Sequence, residues 1–322
     1  MPTECHKRPG TPPQERAGKM QEARRATFVV EGQEIAAPAL APGLYVTATP
    51  IGHLGDITLR ALKVLAAADL IAAEDTRVTR KLTARYGIRT PLRAYHEHSG
   101  PAAEERILAA IAEGAAVALV SDAGTPLISD PGARLVARAA ASGLKVAPIP
   151  GASSLAAALS VAALGEGPCL FTGFLPAKAK ARRQALQSLA TLPFTLVFLE
   201  APHRLKAFAE DAAEILGERP ACLAREITKL NEVFLRGSLE EIAAAAEAHQ
   251  RGEIVLVVGP PAESASQAPG DAEVAAMLSE RLLHMGVKDA AREVAEATGL
   301  SRRELYQRAL ALSKEASKEA GR

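Results

Sequence analysis

A long polar loop between an apolar run and a helical run constrains the fold of this chain more than any other feature. The loop spans Val120 to Gly132, and the run before it, 115–120, is short enough for a buried strand. An Ala- and Arg-rich run with helical spacing, 133–142, follows. Open α/β sheets bind ligands in loops that leave the carboxyl ends of parallel strands. We therefore predict a ligand loop; a plain connector rich in turn residues is the alternative, which the length and polar density disfavour.

The rest of the chain alternates short apolar runs with helical runs, in two halves that Gly165 to Pro168 separates. In the second half some strands follow one another without an intervening helix, so the second sheet is expected to be mixed. We predict an α/β protein with two α/β domains, in which open sheets are flanked by helices, and a small all-helical C-terminal region.

Shifts in composition give the predicted boundaries. Residues 1–42 are polar and rich in Pro and charge, and we expect a disordered leader there. The segments predicted after it are an N-terminal α/β domain at 43–166, a C-terminal α/β domain at 167–260, a Pro/Ala/Ser-rich linker at 261–271 and a helical region at 272–322.

The helical region has the spacing of a helix-turn-helix. Helices are predicted at 288–298 and 301–312, with Gly299 in the turn between them. Arg302, Arg303 and Arg308 would lie on or near the exposed second helix. A plain helical hairpin explains the same spacing equally well, so both interpretations stay open.

Several classes of protein are disfavoured by what the sequence lacks. Neither a dinucleotide-binding Gly-x-Gly-x-x-Gly nor a phosphate-binding Gly-x-x-x-x-Gly-Lys loop occurs, which argues against NAD and ATP. The three cysteines lie far apart and the pair His96 and His98 has no third ligand nearby, so we expect no disulfide framework and no metal. No apolar run could span a bilayer and no signal core is present, so we expect a cytoplasmic protein without membrane contact.

Charge bears on nucleic-acid binding. The formal net charge is +1, so any contact with RNA or DNA would come from local basic patches. The predicted helix after Asp75 carries Arg80, Lys81 and Arg85, a face that could touch phosphates or be merely solvated. Trp is absent and aromatic residues make up 3% of the chain, which argues against a base-stacking platform.

Motifs at the ends of successive strands together resemble one known family. In the first half they are Thr49-Pro50-Ile51-Gly52, Glu74-Asp75-Thr76-Arg77, Ser121-Asp122-Ala123-Gly124-Thr125-Pro126 and Pro150-Gly151-Ala152-Ser153-Ser154. In the second half they are Gly173-Phe174-Leu175-Pro176, Glu200-Ala201-Pro202-His203-Arg204 and Arg225-Glu226-Ile227-Thr228-Lys229. In this order the chain resembles the bacterial 16S ribosomal RNA cytidine 2′-O-methyltransferases that act at position 1402. They belong to the tetrapyrrole-methylase-like, class III S-adenosylmethionine-dependent methyltransferases. The resemblance covers roughly 44–260, and members of this family also carry a helix-turn-helix-like tail.

The resemblance implies a cofactor and partners. S-adenosylmethionine would bind in a cleft between the two α/β domains of a homodimer, and the substrate would be 16S rRNA, expected within the small ribosomal subunit. Carried over by motif, the donor contacts would be Pro50, Gly52, Asp122, Thr125, Ile128, Gly151, Ala152, Ser153, Ala224 and Ile254. The free backbone N–H groups at the start of the helix after Ser153 could bind a carboxylate or ribose oxygen of the methyl donor. Ser153 could equally be a simple helix cap.

The implied reaction is an in-line transfer of a methyl group to a ribose 2′-oxygen, without a metal, and it depends largely on positioning. Candidates for a general base at the cleft rim are Asp75, His98, Glu200 and His203. Candidates for contact with the RNA backbone are Arg77, Lys178, Arg182, Arg204, Arg225 and Lys229. Asp75 and Arg77 could equally form a helix cap with a salt pair.

Two residues depart from the family pattern, and two other functions compete with it. His53 stands where the family has Asn, and Asn231 lies where a His- or Trp-containing segment is expected. One competing function is methylation of a carbon of a tetrapyrrole, a porphyrin or corrin precursor, against which the tail and the basic loops argue. The other is a helix-turn-helix DNA-binding regulator whose α/β part senses a small molecule.

Overall fold

A computed structural model describes residues 26–96, 99–249, 251–261, 271–298 and 300–319. The chain divides into two compact units, residues 1–259 and 260–322. The strands, all in unit 1, are β1 (Thr27–Val30), β2 (Gln33–Ala36), β3 (Gly43–Thr47), β4 (Leu70–Ala73), β5 (Leu92–Ala94), β6 (Ala116–Val120), β7 (Val146–Ile149), β8 (Cys169–Phe174), β9 (Thr195–Glu200), β10 (Pro220–Arg225), β11 (Val233–Ser238) and β12 (Ile254–Val258). The helices of unit 1 are α1 (Leu59–Ala67), α2 (Thr76–Arg85), α3 (Pro101–Ala112), α4 (Ala133–Ala141), α5 (Ser154–Val161), α6 (Ala179–Leu189), α7 (Leu205–Leu216) and α8 (Leu239–Ala245). Unit 2 contains α9 (Asp271–Leu282), α10 (Val287–Thr298) and α11 (Arg302–Glu319).

The first sheet is an open parallel sheet of five strands in the order β5-β4-β6-β3-β7. Every residue of the central strand β6 is buried, as expected for a parallel strand covered on both faces. On one face α1 and α2 pack through Leu62 and Leu82. On the other face α3 and α4 pack through Ile107 and Leu135.

Strands β3 and β6 are neighbours that send their chains to opposite faces of this sheet. The helix after β3 is α1, on one face, and the helix after β6 is α4, on the other. Neighbouring strands of this kind leave a crevice beyond their carboxyl ends, which is the usual ligand position in an open α/β sheet. The loop from Val120 to Gly132 leaves β6 at this crevice.

The second sheet is mixed, as predicted. Its five strands have the order β11-β10-β12-β9-β8, and the pair β8–β9 is parallel while the other pairs are antiparallel. Helices α6, α7 and α8 cover one face with a core that includes Leu186, Phe198 and Phe208. The rings of Phe198 and Phe208 meet edge to face, with centroids 5.3 Å apart. The prediction of two α/β domains with a helical C-terminal region is confirmed.

Helix α5 packs against the second sheet, although its motif was assigned to the first domain. Ala158 and Ala162 contact Val197 and Cys222 on the face opposite α6–α8. Ile51, from the loop after β3, enters the same cluster. The predicted boundary at residue 166 is therefore too late, because the chain reaches the second sheet with α5.

The predicted disordered leader is wrong in its last part. Strands β1 and β2 form an antiparallel hairpin within residues 27–36. Phe28 of β1 is fully buried against the α1 face of the first sheet, and the N–H of Val29 donates to the carbonyl of Tyr86 at 2.8 Å. Val30 and Ile35 of the same hairpin are partly buried against this cluster and add to the attachment. Residues 1–25 lie outside the described part of the chain.

Unit 2 is a three-helix cluster with a small apolar core. The core consists of Val274, Leu278, Ala291, Val294, Leu305 and Ala309. Ala291 and Val294 of α10 share this core with Leu305 and Ala309 of α11, so the two helices pack against each other. Gly299 lies outside the described residues. Arg308 pairs with Asp271 at 2.5 Å. Among the described helices of the whole chain, none combines the length and apolarity needed to cross a membrane.

The hairpin gives a stability prediction. Phe28→Ala should lower the free energy of unfolding by about 3–5 kcal/mol, because it empties a fully buried aromatic site. Gln33→Ala, at an exposed position of the same hairpin, should change it by less than about 0.5 kcal/mol. Denaturant unfolding of the two variants checks this. Equal, small effects would mean that the hairpin does not belong to the folded core.

Candidate functional site

Loops from three strands of the first sheet meet at the crevice between β3 and β6. Thr49, after β3, exchanges a pair of backbone hydrogen bonds with Gly124, after β6, at 2.8 and 3.0 Å. The Thr125 hydroxyl donates to the carbonyl of Ala152, after β7, at 3.1 Å. The Thr49 hydroxyl donates to the carbonyl of Ser121 at 3.3 Å. These bonds hold the loops in one assembly.

Two glycines are required by close approach within this assembly. Gly124 has φ of +78°, and a Cβ there would lie 3.2 Å from Cγ2 of Ile51. A Cβ on Gly151 would lie 2.9 Å from the Cβ of Ala48. Leu127 and Ser129 also take positive φ values, 73° and 68°, which cost side chains of this kind about 1–3 kcal/mol each. Such strained backbone concentrates at binding sites, so its presence in this loop supports the predicted ligand role.

The second domain reaches the same assembly from the opposite side. The N–H of His53 donates to the hydroxyl of Thr228 at 3.0 Å. A Cβ on Gly52 would lie 2.5 Å from Cγ of Lys229, so the two loops are in direct contact. A Cβ on Gly173 of β8 would lie 2.9 Å from Oγ of Ser129. Loops from both domains therefore line the region of the crevice.

His53 caps the turn in which it lies. Its Nδ1 accepts from the N–H of Gly55 at 3.2 Å, at the start of a short 3₁₀ turn, Leu54–Asp56. A capping side chain needs an acceptor at this reach, which Asn also provides. The departure from the family pattern at position 53 therefore keeps the local bond.

The loop after β10 is held rigidly by ion pairs. The ammonium of Lys229 lies 3.0 Å from carboxylate oxygens of both Glu226 and Glu253. The N–H of Thr228 donates to Glu232 at 2.7 Å. Glu226 and Thr228 have φ of +53° and +63°, so these contacts stabilise a backbone that L residues rarely adopt. We infer that Lys229, predicted to contact RNA, positions this loop instead.

Carboxyl groups gather at the carboxyl ends of β4 and β6. The N–H of Asp75 donates to Asp122 at 2.9 Å, and the N–H of Asp122 lies 3.3 Å from Glu74, to which it donates. Burial raises the pKa of Glu74 and of Asp122, and neighbouring carboxylates add to both shifts. The cluster gives the crevice a negative potential, which suits a cationic ligand group.

Asp130 joins this cluster and was not singled out from the sequence. Burial raises its pKa to about 6, assisted by the charges of Glu74, Asp122 and Glu253, while hydrogen bonding to Ser121 opposes the shift. Its position inside the Val120 to Gly132 loop was a usable signal. The sequence could not indicate that Glu253, more than a hundred residues away along the chain, lies close to Asp130.

The candidate bases fall into different environments. Asp75 caps α2 and pairs with Arg77 at 2.6 Å, and this hydrogen bonding lowers its pKa to about 2. Glu200 is buried on the face that α7 covers, 3.1 Å from Arg204, and burial raises its pKa. His203 is exposed in the turn Pro202–Arg204. His98 lies outside the described residues.

The candidate RNA contacts also separate. Arg182 is buried and pairs with Asp211 at 2.6 Å, so the prediction that it meets RNA is wrong, because its charge is already matched inside the fold. Arg204 donates to the carbonyl of Leu175 at 2.7 Å, and Arg225 lies 3.5 Å from the carbonyl of Asn231. The exposed members of the predicted set are Lys178 and Arg77.

Most predicted donor contacts surround the crevice. They are Pro50, Gly52, Asp122, Thr125, Ile128, Gly151, Ala152 and Ser153, all in the loops after β3, β6 and β7. Ile128 is 37% exposed, which leaves an apolar side chain free to cover a ligand. Ala224 and Ile254 are buried in strands of the second sheet, and Ile254 packs into the α6–α8 core, so only its main chain could reach a ligand. Within the described residues no group of at least three His, Cys, Asp or Glu could hold a metal ion.

Comparison with known families identifies the two parts of the chain. A model of the tetrapyrrole (corrin/porphyrin) methylases matches residues 43–243, which include the first sheet and every strand of the second sheet except β12. A model of the RsmI C-terminal HTH domain matches residues 268–313, which include α9 and α10. The helix-turn-helix interpretation of the tail is thereby preferred over a plain hairpin.

Curated relatives match nearly their whole length. A protein of Mesorhizobium japonicum is 48% identical over 283 residues, covering 87% of this chain and 95% of the relative. A protein of Erythrobacter litoralis is 50% identical over 277 residues, covering 86% and 97%. A protein of Pseudomonas aeruginosa is 47% identical over 272 residues, covering 83% and 96%. Each is named ribosomal RNA small subunit methyltransferase I.

Solved structures share the fold at low identity. The methyltransferase CobJ superposes with a TM-score of 0.53 at 20% identity, covering 68% of this chain and 94% of its own. The cobalamin biosynthetic enzyme cobalt precorrin-4 methyltransferase, CbiF, gives a TM-score of 0.52 at 18% identity, covering 67% and 94%. These similarities establish the architecture of the α/β part.

The raised pKa of Asp130 predicts a pH-dependent stability. Its folded-state pKa of about 6 exceeds the ordinary value of 3.8, so folding favours the protonated form and stability is lost as pH rises through 6. Asp130→Asn should therefore raise the free energy of unfolding by about 1–3 kcal/mol at pH 8 and leave it unchanged near pH 3.5. Asp56→Asn, at an exposed position, is the control. Equal stabilisation by Asp130→Asn at both pH values would contradict the burial of a charged carboxylate.

Proposed function

Because this chain belongs to the tetrapyrrole (corrin/porphyrin) methylase family, we propose that it is the S-adenosylmethionine-dependent methyltransferase of small-subunit ribosomal RNA in its organism. We propose the ribose 2′-oxygen of cytidine 1402 of 16S rRNA as the acceptor. The observation that carries this proposal is the 46–50% identity, over nearly their full length, to relatives named as small-subunit rRNA methyltransferases.

The crevice between β3 and β6 fits the methyl donor. Its walls include the main chain at Gly124 and Gly151, where the absence of a side chain allows close approach to Ile51 and Ala48. The carboxylates of Glu74, Asp122 and Asp130 supply negative charge for a sulfonium cation. Residues that would hold the donor are Pro50, Gly52, Asp122, Thr125, Ile128, Gly151, Ala152 and Ser153, with the main chain of Ala224 and Ile254.

When bound, S-adenosylmethionine supplies an electrophilic methyl group on a positively charged sulfur. The loops around Gly124 and Gly151 then fix its position relative to the acceptor, and such positioning is worth roughly 7–11 kcal/mol of the barrier. The bonds between Thr49 and Gly124 and between Thr125 and Ala152 keep these loops in place without the donor. The residues therefore contribute orientation first, and no metal is required for the transfer.

The proton of the acceptor hydroxyl must leave during the transfer. The candidate bases differ in how well they could accept it. Asp75, with a pKa near 2 and a bond to Arg77, is a weak acceptor of this proton. Glu200 is buried, and its carboxylate is paired with Arg204 at 3.1 Å. Asp130 has a pKa of about 6, close to the working pH of a general base, and lies in the central loop. We therefore rank Asp130 ahead of Asp75 and Glu200, with His98 and His203 retained as candidates.

The two competing functions have less support. Methylation of a tetrapyrrole carbon would fit the fold of CobJ and CbiF, but the identity to these is 20% or less. A DNA-binding regulator would leave the methylase match over residues 43–243 without a purpose. The relatives named as rRNA methyltransferases align with most of this chain and with nearly their whole own length. They therefore support an rRNA methyltransferase over either competing function.

The remaining parts of the proposal concern the setting of the reaction. We infer that the enzyme acts in the cytoplasm as a homodimer, on 16S rRNA assembled in the small ribosomal subunit. Sedimentation equilibrium of the purified protein tests the dimer, for which a mass of about twice 33.6 kDa is expected.

Methyl transfer in vitro tests the function directly. The purified enzyme is incubated with labelled S-adenosylmethionine and either small subunits, free 16S rRNA or a porphyrin precursor, with subunits from cells lacking the gene. Mass mapping of the RNA should find one methyl group on the ribose of cytidine 1402, and the porphyrin precursor should remain unlabelled. Label in the porphyrin alone, or no label in either RNA, would overturn the proposal.

The glycine at the crevice gives a sharper test of donor binding. Gly124→Ala should weaken S-adenosylmethionine binding at least tenfold in calorimetry, because its Cβ meets Ile51 and alters the loop that faces the donor. Gly143→Ala is the matched control, since Gly143 has a similar φ of +68° and no neighbour within 4 Å of the added carbon. Both variants lose similar backbone stability. Equal donor affinity in the two would place the donor elsewhere.

A further inference from the structure

Helix α2 carries a basic stripe on its exposed face. Arg77, Arg80, Lys81 and Arg85 recur at spacings of three and four residues, so they share one side of the helix. Thr79, Leu82 and Thr83 are buried on the opposite side against the first sheet. The helix is therefore held by its apolar side while it presents cations to solvent. We refer to Arg80, Lys81 and Arg85 as the α2 strip.

The charges of the α2 strip are not matched within the fold. Arg77, at the start of the helix, forms an ion pair with Asp75 at 2.6 Å. For the α2 strip itself, no carboxylate lies within ion-pair distance in the part of the chain that the structure describes. The basic start of α6 differs, because Arg182 and Arg183 both bond to Asp211. Three neighbouring uncompensated cations on a rigid helix attract a polyanion.

The α2 strip begins beside the crevice. Asp75 caps α2, and its N–H donates to Asp122 at 2.9 Å, which fixes the helix start at the ends of β4 and β6. From Asp75 to Arg85 the helix rises about 15 Å, so the strip leads away from the crevice along one straight element. A polynucleotide whose reacting nucleotide lies at the crevice would bring neighbouring phosphates to such a line of cations.

We propose that the α2 strip binds the phosphate backbone of the RNA substrate next to the nucleotide that is methylated. The proposal rests on the proposed function, because that function brings RNA to the crevice. Contacts of this kind are electrostatic and release counterions, so they strengthen binding without reading sequence. This proposal places the contact with the RNA phosphates on the first domain, on the side of β4.

The test compares two triple variants of the full-length protein. Arg80→Gln, Lys81→Gln and Arg85→Gln are combined in one, and Lys63→Gln, Arg106→Gln and Arg251→Gln in the control. The control removes the same charge from exposed positions on separate elements. Affinity for a 16S rRNA fragment containing cytidine 1402 is measured by fluorescence anisotropy from 50 to 200 mM salt. S-adenosylmethionine binding is measured by calorimetry to verify the folded crevice.

Loss of the α2 strip should reduce the slope of log affinity against log salt by about 2–3, since each phosphate contact contributes roughly 0.7–0.9. The fall in affinity across this salt range should accordingly shrink by roughly 20- to 40-fold. The control should keep the wild-type slope, and Lys81→Gln alone should give about a third of the change. Donor affinity should be the same in all variants.

The outcomes separate this proposal from the proposed function. If the salt slope is unchanged in the α2 triple variant, or changes equally in the control, the proposal that the α2 strip contacts RNA is overturned. The proposed function is unaffected by that result as long as the wild-type enzyme transfers methyl groups to rRNA. A strip-dependent slope in an enzyme that transfers no methyl group to rRNA supports the strip and overturns the proposed function.

Discussion

The pair of backbone hydrogen bonds between Thr49 and Gly124 is the interaction on which the site depends. Strands β3 and β6 send their helices to opposite faces, which opens a gap beyond their ends. The two bonds join the loops across this gap, and the left-handed backbone of Gly124 makes the approach possible. Thr125 then adds the loop after β7 through its bond to Ala152. A surface built in this way presents main-chain groups in fixed positions, which suits a ligand recognised through many small polar contacts.

Much of this architecture could be predicted from the sequence because it depends on local pattern. The apolar run at 115–120 is strand β6, and the alternation of runs on either side gives the parallel and mixed sheets. The errors arise where attachment depends on a partner distant in sequence. Phe28 fastens a polar hairpin to the first sheet, and α5 packs on the second sheet although it follows β7 directly. Hydrophobic periodicity shows that a face is apolar, but not which surface will cover it.

The same limit applies to charge. A sequence shows how many cations a segment carries, whereas their availability depends on ion pairs made by folding. Arg182 is matched by Asp211, 29 residues away, and Lys229 is shared between Glu226 and Glu253. Asp130 acquires its raised pKa from burial and from nearby carboxylates, two of which, Glu74 and Glu253, lie on other loops. The residue types around the crevice were therefore predictable from the motifs, while the protonation states and the free charges were not.

The insertion of Ile51 into the second domain has a consequence for how a ligand enters. This side chain leaves the first sheet and is buried among Ala158 and Val197, so swinging the lobes apart would expose it to water. That exposure costs about 1.5–3 kcal/mol, and the bond from His53 to Thr228 would break as well. Burial of the Ile51 side chain between the two α/β domains therefore opposes a wide hinge opening. Because Ile51 lies in the loop after β3, any such opening would also displace one wall of the crevice.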